Sequence, residues 1–141
     1  TIGICLAEEH KTTRNILATG AFTVSVATVD HVAACDYVGI VSGDKVPDKF
    51  AKAGFVAERS ECVNAPRIKQ LPMTLECEVL SYDTDTCRLV GRVVNVSADE
   101  SILDENGKID VKKTHANSAA KIMLINGTKK KFKITDMMKS T

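Results

Sequence analysis

Residues 8–20, EEHKTTRNILATG, gather basic and hydroxyl side chains at the start of a short predicted helix. Apolar residues at helical spacing and the closing Gly20 predict that this helix covers residues 12–19. A helix N-terminus carries partial positive charge, so acidic side chains are favoured in its first turn. Here the two acids come before the entrance, and neither threonine is followed by Glu or Gln at capping-box spacing. The side chains at the entrance are instead basic: His10, Lys11 and Arg14.

This cationic helix entrance has the chemistry of a phosphate-binding site. The first backbone N–H groups of a helix have no partners within the helix, and the dipole adds positive charge there. His10 and Lys11 would contribute charge and donors, and the hydroxyl groups of Thr12 and Thr13 would add two more donors. The same residues also fit an ordinary helix start, in which a threonine caps the helix and the lysine is solvated. The residue types alone leave both interpretations open.

The composition indicates one domain with an aliphatic core. The chain has 141 residues, of which 44% are hydrophobic but only 4% are aromatic, and it contains no Trp. A net charge of +1 argues against a nucleic-acid partner. No apolar run approaches the roughly 20 residues of a membrane span, so we expect no membrane partner. Neither a P-loop nor a G-x-G-x-x-G motif occurs, so a nucleotide would have to be held in another way.

The cysteines and histidines show no pattern of a metal or redox site. The five cysteines are odd in number and include no C-x-x-C pair, which fits neither a disulfide framework nor a zinc site. We therefore expect no metal site, and free thiols in a reducing cytoplasm. Cysteines inside predicted strands or helices should be buried as small hydrophobic residues; these are Cys35, Cys77 and Cys87. His31 and His115 are expected to be ordinary polar positions.

Alternating apolar residues predict several β-strands. The opening TIGICL has the composition of a strand, and AFTVSVAT, residues 21–28, alternates as expected for a strand with one buried face. Residues 72–100 predict a hairpin around a polar turn near 83–85. A three-residue turn would set Glu76 opposite Arg92, an arrangement that stabilises a strand pair modestly.

Short helices and turns separate these strands. Helical spacing is found in residues 30–43, and a second short helix is expected within 46–55, between Pro47 and Gly54. The stretch 55–70 is expected to be irregular, and residues 104–108, DENGK, predict a turn. Strands and helices do not alternate regularly, so the pattern favours a β-barrel or sandwich with helical insertions over a doubly wound sheet.

Four motifs follow one another along the chain: the H-x-T-T helix start, the strand G-x-F-x-V, the segment CDYVGIVSG…DKF and the turn DENGKID. In this order and spacing they resemble the flavin reductase-like family, the FMN-binding split barrels that include the flavoredoxins. The resemblance covers residues 1–112. We therefore expect one domain over 1–141, with 113–141 as a poorly matched C-terminal segment. Family members usually carry further N-terminal strands, which this sequence lacks, so we expect the barrel to be N-terminally incomplete.

The resemblance implies a fold, a cofactor and a set of binding residues. The implied fold is mainly β with short helices, an antiparallel Greek-key split β-barrel that forms a homodimer with FMN near the dimer interface. The residues that match the family's phosphate-binding segment are His10, Lys11, Thr12 and Thr13. In the segment DY…SG…DKF, Asp36 and Lys49 are further candidates for contact with the flavin or the dimer partner. They could equally be surface charges.

The resemblance also implies an activity. In this family electrons pass from NAD(P)H, the expected co-substrate, through bound FMN to free flavin or to a protein acceptor. The sequence suggests no protein group as general acid or base, because the redox chemistry would be that of the cofactor. One alternative is a non-enzymatic electron carrier of the flavoredoxin type. Another is a structural or ligand-binding barrel that holds no flavin.

Overall fold

The structure is a computed structural model that describes residues 1–114 and the backbone of two later strands, Lys121–Ile125 and Lys129–Lys133. His115 lies outside the described residues. Within the part that the structure describes, no helix is both long and apolar enough to cross a membrane.

Six strands form one antiparallel sheet, and two short strands pair separately. The strands are β1 Ile2–Cys5, β2 Ala21–Val26, β3 Ala57–Arg59, β4 Pro66–Ile68, β5 Met73–Asp83, β6 Arg88–Ala98, β7 Lys121–Ile125 and β8 Lys129–Lys133. The main sheet has the order β1-β6-β5-β2-β7-β8, and β3 pairs with β4. The sheet curls into a half-barrel, as in split-barrel proteins. The expected fold, mainly β with an antiparallel split barrel, is therefore confirmed.

The helices are short and lie between the strands. They are α1 Lys11–Thr19, α2 Val32–Ile40 and α3 Lys49–Lys52. The first helix ends as predicted, because Gly20 adopts the left-handed conformation with φ 70° and its N–H bonds to Ile16. The second helix ends at Ile40 and does not continue to Gly43. The predicted turn at 104–108 is present, with the Asp104 carboxylate accepting N–H bonds from two residues of the turn.

Two hydrophobic clusters hold these elements together. The first lies between the sheet and α1 and is built around the fully buried residues Leu6, Ile16, Phe22, Val24 and Leu89. The second joins α2 to the segment around β4 and contains Cys35, Val38, Phe55, Ile68 and Leu71. Aliphatic residues dominate both clusters, in agreement with the composition. The first cluster holds α1 against β2, and the second holds α2, so the two clusters fix the positions of both helices.

Strand β2 is buried on both faces, so the prediction of a half-buried strand is wrong. All six of its residues are buried, including the polar Thr23 and Ser25. The Thr23 hydroxyl donates to the Pro66 carbonyl at 2.6 Å, and the hydroxyls of Ser25 and Thr74 are 3.1 Å apart. The alternation in the sequence is real, but the second face is covered by other parts of the chain. Its polar side chains are satisfied by partners that are distant in sequence.

The predicted hairpin exists, but its predicted register is wrong. Residues 84–87 connect β5 to β6, one residue more than expected. Glu78 pairs with Arg92 through an Nη2–Oε2 distance of 2.6 Å, whereas Glu76 lies opposite Asn95. Two register shifts interrupt the pairing, between Glu76 and Cys77 and between Val79 and Ser81. Because each irregularity displaces the pairing, a register counted from the turn alone does not hold.

Two further expectations are corrected. The stretch 55–70 is not wholly irregular, since β3 and β4 pair within it. Cys35 and Cys77 are buried as expected, and burial raises the pKa of the Cys77 thiol to about 12, which makes it inert. Cys87 is only half-buried and is the last residue of the hairpin turn, with a φ of 57°, so it is not a strand residue. None of the five cysteines is paired in a disulfide.

Gly91 of β6 provides a test of the first hydrophobic cluster. A Cβ atom at this position would lie 2.5 Å from the Phe22 ring, which is fully buried and has no space to move into. We predict that Gly91→Ala lowers the free energy of unfolding by roughly 1–3 kcal/mol. Gly3→Ala is the matched control, because its Cβ would meet only the flexible end of Arg88 at 3.2 Å. Urea denaturation of both variants measures the difference, and equal stabilities would contradict the assigned packing.

Candidate functional site

The start of α1 is not capped by the side chain of its N-cap residue. The N-cap residue is His10, whose backbone is extended with φ −74° and ψ 136°, and its side chain makes no capping hydrogen bond. No acidic residue stands in the first turn. The Arg14 N–H donates to the His10 carbonyl at 3.1 Å, which is the first backbone hydrogen bond of the helix turn. The helix therefore begins as the sequence predicts, with its positive end uncompensated by a carboxylate of its own.

A small cavity of about 200 Å³ opens at this helix start. One wall is the N-terminal turn of α1, and the other is the segment 39–44, which contains the C-terminal end of α2. Four of the six predicted binding residues line the cavity: His10, Lys11, Thr12 and Lys49. The fold thus brings Lys49 to a helix start that lies almost forty positions earlier in the chain.

Lys49 is the buried cation of this site. Only 4% of the residue is exposed, and its ammonium group donates to the carbonyls of Val38 at 2.8 Å and Val41 at 2.6 Å. Burial lowers the pKa of Lys49; nearby Asp44 opposes this shift, and the charge of Lys11 adds to it. The two lysines therefore repel each other across the cavity. An anion placed between them would relieve this repulsion.

The acidic residue of the cavity, Asp44, interacts with Arg14. Their closest Nη2–Oδ1 distance is 3.2 Å, and about half of each side chain is exposed. Arg14 also donates to the carbonyl of Glu9. This arrangement fastens the segment 39–44 to α1. Since Asp44 is partly neutralised by Arg14, positive charge remains in excess at the cavity.

The remaining predicted residues lie outside this cavity. Thr13 is almost completely buried, and its hydroxyl donates to the Ala7 carbonyl at 2.7 Å. Its proton is therefore used to hold the helix start to the preceding turn. Asp36 is half-buried on α2 and does not line the cavity. The structure thus separates these two residues from the group formed by the lysines, His10 and Thr12.

A family model for the flavin reductase like domain matches residues 1–123. The chain belongs to the flavin reductase-like family. A protein of Aquifex aeolicus (strain VF5), described only as uncharacterized, is 29% identical over 107 residues, which are 72% of this chain and 53% of that protein. The chain thus spans about half the length of this curated relative.

Solved structures of flavin reductase-like proteins are similar to this one. Flavoredoxin of Desulfovibrio vulgaris (Miyazaki F) is 34% identical with a TM-score of 0.74, over 79% of this chain and 60% of that one. Flavoredoxin of Methanosarcina acetivorans is 27% identical with a TM-score of 0.71, over 93% and 67%. An FMN-binding protein of Thermus thermophilus, 22% identical with a TM-score of 0.61 over 92% and 67%, shares the fold.

The sequence did not predict that an acidic residue of this flavin reductase-like chain is buried inside the fold. Glu76 is fully buried, and its carboxylate accepts the Cys62 N–H at 2.9 Å and the Asn95 amide. Burial alone would raise the pKa of Glu76, but these bonds and the backbone N–H groups of Glu61 and Val63 hold it below its usual range. The available signal was an acid between two apolar residues of a strand, since a buried charge requires partners.

Among the residues that the structure describes, no three or more His, Cys, Asp or Glu side chains come together in a group that could hold a metal ion. His31 instead lies within hydrogen-bond distance of Thr28, with an Nδ1–Oγ1 distance of 3.0 Å, and faces the ring of Phe55.

Proposed function

We propose that this chain binds FMN and acts as an oxidoreductase that passes electrons from NAD(P)H through the flavin to free flavin or to a protein acceptor. One observation carries the binding part of the proposal: two lysines converge on one small cavity at a helix start that has no acidic residue in its first turn. Membership of the flavin reductase-like family supports the choice of flavin over other phosphorylated ligands. A related Thermus thermophilus structure is named as an FMN-binding protein.

The cavity fits the phosphate end of the cofactor. Its volume of about 200 Å³ is below the roughly 300–1,000 Å³ of sites for whole drug-sized ligands, so the flavin ring would lie outside it. Lys11 and the backbone N–H groups of the first turn would bond to the phosphate, together with His10 and Thr12. Lys49 would contribute charge, since its ammonium already donates to two carbonyls.

The two other predicted residues would act differently. Thr13 would hold the helix start in place through its bond to Ala7. Asp36 stays a predicted flavin contact, and its position would restrict it to parts of the cofactor beyond the phosphate. When bound, FMN supplies hydride acceptance and electron transfer. The residues of this chain bind and orient it.

A flavoredoxin-type electron carrier is the second candidate function. Two solved structures named as flavoredoxins, with TM-scores of 0.74 and 0.71, favour it. The carrier would use the same phosphate cavity but would exchange electrons only with partner proteins. We propose a reducing, cytoplasmic setting for either function, in line with an odd number of cysteines and no C-x-x-C pair.

The phosphate assignment predicts a difference between FMN and riboflavin. Lys11→Gln should weaken FMN binding by at least about tenfold, because a charge-assisted hydrogen bond contributes roughly 1.5–3 kcal/mol. Riboflavin, which has no phosphate, should bind the variant and the original protein equally. Lys52→Gln is the control, since Lys52 is exposed and forms an ion pair with Asp48. Flavin fluorescence titrations measure the affinities of the three proteins for both flavins, and equal binding of FMN and riboflavin to the original protein would refute the assignment.

Turnover assays separate the two functions. We expect the FMN-loaded protein to oxidise NAD(P)H steadily when free flavin is added, which is followed by the loss of nicotinamide absorbance. Reduction of the bound flavin by a reduced partner protein, without NAD(P)H oxidation, would favour the carrier. If the purified protein shows no flavin absorption after FMN is added and the unbound FMN is removed, both functions are refuted in favour of a flavin-free barrel.

We also propose that the protein is a homodimer, as the family resemblance implies. The hairpin formed by β5 and β6 exposes three large apolar side chains, Leu80, Val94 and Val96. Sedimentation at micromolar concentration should show a dimer, and glutamate at both Val94 and Val96 should shift it to monomer, because buried charges are costly. Val111→Glu, at an exposed apolar position outside the hairpin, is the control and should leave the dimer intact. A monomer in the unmodified protein would contradict this proposal.

A further inference from the structure

The last residue of α2, Ile40, carries a large apolar side chain that the rest of the chain leaves uncovered. The residue is 81% exposed, more than any other large hydrophobic residue in the part of the chain that the structure describes. A single exposed isoleucine needs no explanation by itself, since much of any protein surface is apolar. Ile40, however, lines the cavity at the start of α1 together with Lys11 and Lys49. Its exposure therefore concerns the site at which we place the phosphate.

One whole side of α2 is apolar and open. The helix has the sequence VAACDYVGI, in which Asp36 is the only charged residue. A helix that is apolar around its whole circumference is normally covered on all sides. Here Cys35 and Val38 are buried in the second hydrophobic cluster. Ala33 and Ile40, about two turns apart on the opposite side, are exposed. The fold thus covers one side of α2 and leaves an apolar side whose last residue lies at the cavity.

The size of the cavity requires the flavin ring to lie on its rim. A volume of about 200 Å³ holds a phosphate group but not the whole cofactor. The ribityl chain between the phosphate and the ring extends over only roughly 6 Å, so the ring stays close to the mouth. Among the lining residues, the exposed His10, Ser42 and Asp44 are polar, and Ile40 is the exposed large apolar one. An aromatic ring gains most by covering this apolar part of the rim.

The backbone around Ile40 is held in place by hydrogen bonds. The Lys49 ammonium donates to the carbonyls of Val38 at 2.8 Å and Val41 at 2.6 Å, which stand on either side of Ile40 in the chain. The Val41 N–H also bonds to the Tyr37 carbonyl at 3.1 Å and closes the last turn of the helix. The end of α2 is therefore formed without a ligand. A ligand that covers Ile40 has little backbone to order, which favours binding.

We infer that Ile40 is the ring-contact residue of this site: with the phosphate in the cavity, the isoalloxazine ring of FMN lies against the exposed Ile40 side chain at the end of α2. The inference rests on the proposed function, because it takes the position of the phosphate as its starting point. Contact with Ile40 removes apolar surface from water and involves no charge. It therefore acts on the ring, whereas Lys11 acts on the phosphate.

Substitution of Ile40 should weaken the binding of both flavins equally. We expect Ile40→Ser to lower the affinities for FMN and riboflavin by the same factor, about fivefold to twentyfold, because the ring loses its apolar contact. Ile40→Leu should keep both affinities, since it preserves the apolar volume. Val111→Ser is the matched control, because Val111 is 76% exposed and lies outside the cavity. Flavin fluorescence titrations of these variants measure the affinities.

The ring contact and the phosphate site fail in different ways. If FMN binds the original protein and Ile40→Ser equally well, the ring contact is wrong and the phosphate site stands. If Ile40→Ser weakens the binding of FMN but not of riboflavin, the residue acts on the phosphate, which also overturns the inference. Lys11→Gln is expected to give that second pattern, so the two variants are directly comparable. An original protein that binds no FMN overturns the ring contact together with the proposed function.

Two further measurements test whether another surface covers Ile40. Urea denaturation should give Ile40→Ser and Val111→Ser the midpoint of the original protein, because both residues are largely exposed. A lower midpoint for Ile40→Ser alone would show that its side chain packs within the fold. Sedimentation should give Ile40→Ser the mass of the original protein. A variant that changes from dimer to monomer and keeps its flavin affinity would assign Ile40 to the contact between two copies. Either of these results would overturn the inference.

Discussion

The burial of β2 on both faces is the constraint on which the rest of the structure depends. The strand pairs with β5 on one edge and β7 on the other, and all six of its residues are buried. Its polar side chains must therefore find partners inside the protein, and they do so on Pro66 and Thr74. Since α1 ends directly before this strand, the strand also fixes where the helix can lie.

Opposite ends of two helices meet at the cavity at the start of α1. The C-terminal end of α2 presents carbonyl groups and partial negative charge, and Lys49 neutralises it by bonding to Val38 and Val41. The N-terminal end of α1 presents partial positive charge and has no acidic side chain in its first turn. Lys49 thus neutralises the partial negative charge at the end of α2, which would otherwise repel an anion. The remaining field favours an anion, and Lys11 strengthens it.

The sequence was sufficient for features that depend on near neighbours. The limits of α1, the turn at 104–108 and the existence of the hairpin follow from capping, glycine and alternation, which act over a few residues. The second buried face of β2 and the pairing of Glu76 with Asn95 could not be predicted, because both depend on residues distant in sequence. The helix start alone indicated His10, Lys11 and Thr12 as candidates for phosphate binding. Lys49 is distant in sequence, so it was indicated only by the family resemblance. The bond from Thr13 to Ala7 was likewise not foreseen.

In the proposed function, the cavity at the start of α1 would make the same contribution to a reductase and to an electron carrier. Its lining supplies cations, hydroxyls and N–H groups, and its one carboxylate, Asp44, interacts with Arg14. Such groups anchor and orient a phosphorylated cofactor and do not discriminate between electron donors. Weaker binding of the phosphate would therefore lower the fraction of protein that holds FMN by the same factor for either function. The difference between the two functions must arise from the surface around the flavin ring, where a nicotinamide or a partner protein would have to approach.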